Sequence, residues 1–70
     1  MTENLDRMFW ISSDGQGSIP CNPCTPEEAS TEARASLADL LSQCADDAEE
    51  AIIRAGHFQV HGIIIPAVLA

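Results

Sequence analysis

The chain has 70 residues, eleven acids against three arginines, and no lysine, for a formal charge of −8. That balance excludes the usual nucleic-acid binder, which needs a basic footprint to neutralise phosphates. It also argues against anionic membrane surfaces, and its length allows one small domain, 1–70, with a thin core. Ten of the apolar residues are alanines, so independent folding is expected to be marginal without a metal, a disulfide or a second subunit.

The N-terminus, Met1-Thr2-Glu3-Asn4-Leu5-Asp6, is polar and acidic and reads as a short lead-in rather than a signal peptide. The expected location is therefore cytoplasmic. Next, Met8-Phe9-Trp10-Ile11 is a compact aromatic and β-branched run, which predicts a strand. Ser12-Ser13-Asp14-Gly15-Gln16-Gly17 follows as a turn, and residues 18–21 return as a short second strand to complete a hairpin. Pro20 and Pro23 confine that strand to a sheet edge. The Gly-Gln-Gly spacing lacks the glycine pattern and lysine of a phosphate loop.

Thr25-Pro26-Glu27-Glu28 is a helix start. It sets a hydroxyl at the N-cap, proline at the first helical position and glutamate three residues after the cap. Arg54-Ala55-Gly56 is a stop, with a cation in the last turn and glycine at the place of a left-handed C′ residue. No Gly or Pro lies between these signals. The prediction is one long amphipathic acidic helix over 26–55, roughly 45 Å at ~1.5 Å per residue. Leu37, Leu41, Cys44, Ala48, Ala51 and Ala55 form a heptad-like seam along it. A seam that long outruns a small sheet, which predicts a homodimer with antiparallel helices. Asp46, Asp47, Glu49 and Glu50 fall toward the negative end of such a helix, where they destabilise its dipole. Helix stability alone does not put acids there, so with Asp39 they are the candidate partner-binding face.

After the helix, His57-Phe58-Gln59-Val60-His61 alternates with period two, as a half-buried strand does. Gly62 is expected as a bulge or bend, with Ile63-Ile64-Ile65 continuing the strand to Pro66. The apolar end, residues 63–70, is far too short to span a bilayer. The sum is an α+β fold: an N-terminal strand or β-hairpin, one long helix, and a C-terminal strand. If the first and last strands pair in parallel, the crossover should be right-handed. Phe9, Trp10 and Phe58 are the only aromatics. They are expected to form the core between sheet and helix, with Trp10 the candidate for an exposed partner anchor.

Two constellations carry chemistry. Cys21, Cys24, His57 and His61 are zinc-ligand types at zinc-like local spacings. Thirty-two residues lie between Cys24 and His57, however, where a zinc finger has about 12. An unbroken helix would also hold the two pairs roughly 45 Å apart. Cys21-Asn22-Pro23-Cys24 as a redox pair meets negative surroundings, which disfavour a thiolate. No nucleophile elbow or triad order is present.

The expectation is a non-enzymatic interaction protein without a cofactor. It docks on a larger partner with a basic surface, through the acidic helix face, the apolar C-terminal strand or both, and inhibits or regulates it, without direct contact to nucleic acid or membrane. In size and acidity the chain is similar to small inhibitors encoded by phages and mobile elements, anti-CRISPR-like proteins among them. The alternative is a small zinc-binding or redox module built on Cys21, Cys24, His57 and His61.

Overall fold

The computed structural model of the chain describes residues 4–68. Half of the expected lead-in, residues 1–3, and the last two residues of the apolar end lie outside that range. The fold is α+β: a four-stranded antiparallel sheet with two helices on one face. Strands β1 (Asp6–Ile11) and β2 (Ser18–Cys24) form the expected hairpin. The turn between them is held by its own polar side chains. Ser12 Oγ donates to Asp14 Oδ1 at 2.7 Å, and the Gln16 amide donates to the same oxygen at 3.0 Å.

β2 is an edge strand, as its prolines require, and it carries a bulge. Arg7 pairs with Pro23 but Phe9 pairs with Pro20, so Cys21 and Asn22 together oppose Met8. The extra residue turns both Cys21 and Cys24 toward the helix side, where Cys24 is buried and Cys21 packs at the core's margin.

The helix start is where the sequence puts it. A 3₁₀ turn at Pro26–Glu28 leads into α1 (Ala29–Ser42). The Glu28 carboxylate accepts from both the amide and the hydroxyl of Thr25, at 3.2 and 3.1 Å. The Glu28 amide goes to the Thr25 carbonyl oxygen at 3.0 Å.

The expected single helix over 26–55 is broken at residues 43–46, and α2 (Asp47–Ala55) begins afresh. The cause is a second start signal. Asp46 takes an extended backbone (φ −156, ψ 177), and its side chain accepts from the Glu49 amide at 3.0 Å. The Glu49 carboxylate reaches back to the Ala45 amide at 3.0 Å. This is a reciprocal cap with Asp at the head and Glu three residues on. On the other side of the break, the Ser42 hydroxyl takes the Asp39 carbonyl oxygen at 2.7 Å and the Cys44 thiol takes that of Leu40 at 3.5 Å. Side chains thus satisfy the groups that a continuous helix would have paired.

The break re-phases the seam. Leu37 is buried and Leu41 and Cys44 are half-buried, but Ala48, Ala51 and Ala55 are exposed. α2 turns Ile53 inward instead and buries no residue fully. The Trp10 indole Nε1 donates to the Ile53 carbonyl oxygen at 3.2 Å, tying α2 to β1. Gly56 ends α2 with φ −83, so it is not a left-handed C′ residue. Its role is close approach to Trp10.

β3 (His57–Val60) pairs antiparallel with β1, so no parallel crossover forms. β4 (Ile63–Pro66) is a separate strand rather than a continuation of β3. His61 (φ 51) and Gly62 (φ 75) make a two-residue turn with both central residues left-handed. That is the hairpin geometry whose twist matches its strands, and it folds Ile65 back onto Phe58. The strand order is β2-β1-β3-β4.

Alternation sorts the sheet into two faces. Met8, Trp10, Phe58, Val60 and Ile65 turn toward the helices and pack with Ala29, Ala33 and Leu37. The alanines bring α1 close to the sheet, which suits a core this thin. Phe9, expected in that core, belongs to the opposite face and is 37% exposed. No helix among the described residues is long and apolar enough to cross a membrane.

Candidate interaction surfaces

Two surfaces stand out, and they differ in charge. The first is the outer side of the helix layer. Asp39 is exposed on α1, and Asp46, Asp47 and Glu49 are exposed at the start of α2, with Glu50 half-buried beside them. The structure therefore brings Asp46, Asp47, Glu49 and Glu50 to one end of α2 and leaves Asp39 on α1, beside Pro20 and Asn22 of β2. It also removes the reason first given for those four. They stand at the positive N-terminal end of α2, where carboxylates are favourable. Asp46 and Glu49 are engaged in the cap. Glu50 meets Arg54 at 3.5 Å, with both side chains more than two-fifths exposed. Asp39 and Asp47 carry no such structural duty among the side-chain bonds of the described residues. Trp10, the predicted anchor, is 5% exposed under α2 and belongs to the core.

The second surface is the uncovered face of the sheet. Register and alternation place Arg7, Phe9 and Ile11 of β1 there, with Ser18, Pro20 and Pro23 of β2. His57 and Gln59 of β3 and Ile64 and Pro66 of β4 complete it. Ile64 is 63% exposed. A shallow depression of about 410 Å³ lies on this face, with Phe9, Ile11 and Gln59 in its wall and Asp6 at its rim. None of the paired positions on this face is a carboxylate. The sequence points to the apolar C-terminal strand as one docking surface but not to the β1 part of this face, because Met8-Phe9-Trp10-Ile11 looks uniformly apolar, which conceals the alternation of faces. One available signal was the absence of any Asp, Glu, Lys or Arg from residue 56 to the end.

The cysteines and histidines are rearranged relative to expectation. The broken helix returns the chain, so His61 comes to Cys24 after all: its Nε2 lies 2.8 Å from the Cys24 carbonyl oxygen. The contact is to backbone, not to the thiol. His57 sits opposite Ile11 on the open sheet face. Among the described residues no three His, Cys, Asp or Glu side chains gather around a common point that would hold a metal ion. Burial pushes the Cys24 thiol above its ordinary range, and the carboxylates of Glu32, Glu28 and Asp6 push it further. The Cys44 thiol is raised in the same way, by desolvation and then by Glu49, Glu50 and Asp46. Both are held as thiols, the opposite of what nucleophilic or redox work requires.

No family model, curated protein or solved structure matches this chain.

Proposed function

We propose that this chain is a non-enzymatic interaction protein that binds a larger partner with a basic surface and inhibits or regulates it. The docking surface is the acidic end of α2, with Asp39 of α1 on the same helix layer. One observation carries the reading: Asp46, Asp47, Glu49 and Glu50 crowd the start of α2, while no paired position on the open sheet face is a carboxylate. Such a concentrated negative field steers encounter with a cationic patch and raises the association rate.

The partner is a protein with a cationic cleft that takes up another polyanion, or with a basic surface of similar potential. Small acidic inhibitors of phages and mobile elements, anti-CRISPR-like ones among them, work by occupying such sites, and we place this chain in that functional class, acting in the cytoplasm. The test is affinity capture from bacterial lysate at low and high salt, with the wild type and with Asp39→Asn/Asp47→Asn. A specific partner released by high salt, and captured in smaller amount by the variant, is the expected result. A partner held equally in all four conditions would overturn the reading.

A further inference from the structure

We propose that a second copy of this chain covers the open sheet face, so that two sheets stack with their helix layers outside. The face is built to be covered. Phe9 is 37% and Ile64 63% exposed, and Pro20, Pro23 and Pro66 beside them are exposed as well. All helices pack on the other side of the sheet, against Met8, Trp10 and Phe58.

Charge selects the occupant. Each copy carries −8, so self-association is opposed wherever carboxylates meet. The paired positions of the sheet face hold no carboxylate, and Asp6 stands only at its rim. Stacked sheets stand ~10 Å apart, and each helix adds its own ~10 Å diameter behind. The two acidic layers are then roughly 30 Å apart, beyond three Debye lengths at ~0.15 M salt, where that length is ~8 Å. A pair formed through α2 would instead bring Asp47 and Glu50 of both copies together. Asp6 and Arg7 both line the depression, one charge of each sign, with the Arg7 guanidinium donating to the Cys21 carbonyl oxygen at 2.9 Å.

Area sets the strength. Strands ~4.8 Å apart and about four to six residues long give a face of roughly 19 by 13–20 Å. Two such faces cover at most about 800 Å² in projection, half of a standard interface. The pair is therefore reversible and concentration-dependent, not obligate. It is also independent of the basic partner, because α2 stays outside the stack.

The experiment is sedimentation of the whole chain from about 10 μM to 1 mM, the range in which small interfaces dissociate, at ~0.01 and ~0.15 M salt. The wild-type mass should double with concentration, and the higher salt should strengthen the pair, since at ~0.01 M the Debye length reaches ~30 Å. Phe9→Glu and Ile64→Glu should each stay at monomer mass at every concentration with unchanged circular dichroism. Ile52→Glu, on exposed α2, should dimerise as the wild type does. A wild type that remains monomeric at both salts overturns the proposal. So does a dimer lost in Ile52→Glu and kept in Ile64→Glu, which would place the contact on α2. Should Phe9→Glu fail to fold, dilution of the wild type decides. Amide shifts that move at Phe9, Ile11, Gln59 and Ile64 support the stack, and shifts confined to α2 or to β4's outer edge overturn it.

Discussion

Gly56 lies against the Trp10 indole so closely that a methyl group on its Cα would stand 2.8 Å from Cε2 and Cζ2 and 2.6 Å from the Ile11 carbonyl oxygen. The backbone there is extended, with φ −83, so conformational freedom is not the reason for glycine. Space is. Gly56 lets the end of α2 pass over Trp10 and deliver β3 into register with β1. Gly56→Ala forces ring and backbone apart and should cost about 1–3 kcal/mol, as overpacking does. Gly17→Ala is the control: its nearest neighbour is Ser12 Oγ at 3.8 Å, and it should stay within ~0.5 kcal/mol of the wild type. Urea midpoints measure both. Equal midpoints for the two variants would mean that the Trp10 contact is looser than described.

The cap at Asp46 decides whether α2 exists as a separate helix. Asp46→Ala removes the acceptor for the Glu49 amide and should cost about 0.5–2 kcal/mol. Asp46→Asn keeps a good cap and should cost less. The helical circular dichroism signal should fall in the first variant and hold in the second. This reverses the expectation from the sequence, in which neutralising Asp46, Asp47, Glu49 and Glu50 relieved an unfavourable dipole. With the acids at the N-terminus of α2, neutralising all four should destabilise the protein.

The sequence disclosed most of this fold at its punctuation and little of it at its pairing. Thr25-Pro26-Glu27-Glu28 and Gly56 marked the outer helix limits because caps are local chemistry. The break was equally local, in Asp46-Asp47-Ala48-Glu49, but it was obscured by a run of good helix formers without Gly or Pro. Read as a capping box, the acidic cluster explains itself. The His61-Gly62 turn went unseen because histidine stands where asparagine is the usual residue, although histidine too tolerates a left-handed backbone. The meeting of His61 with Cys24, 37 residues apart, was beyond local reasoning. It needs the helix to break and β3 to return beside β1. The acidic residues were legible as a cluster; the bare sheet face was not, since nothing local says which side a helix will cover.

Cys24 supplies a pH test with a defined sign. Burial and the neighbouring carboxylates raise its folded pKa, so the unfolded chain loses the thiol proton first as pH rises. The stability tied to the neutral thiol is complete below the ordinary value, 9.0, and is lost as pH climbs from there through the raised one. Cys44 acts in the same direction. Urea midpoints should therefore fall between pH 8 and 10, and fall less steeply in Cys24→Ala. A steeper fall in that variant would contradict the assignment. Iodoacetamide at neutral pH should reach half-buried Cys21 well before Cys24, which is 3% exposed.

The acids that serve binding can be separated from those that serve folding. Asp46 and Glu49 cap α2, and Glu50 pairs with Arg54 at 3.5 Å. Asp39 and Asp47 are exposed and have neither duty. Asp39→Asn/Asp47→Asn should therefore leave the urea midpoint nearly unchanged, apart from a few tenths of a kcal/mol lost at the α2 dipole by Asp47→Asn. Each exposed charge pair with a partner is worth below ~1 kcal/mol, so no large loss of affinity is expected from either alone. The effect belongs in the encounter. The double variant should associate more slowly with the captured partner at low salt, and its rate should vary less with ionic strength than that of the wild type. Stopped-flow association at several salt concentrations reads both quantities. A double variant that matches the wild-type rate and salt slope would show that these two carboxylates do not face the partner, and would shift attention to the apolar sheet face around Phe9 and Ile64.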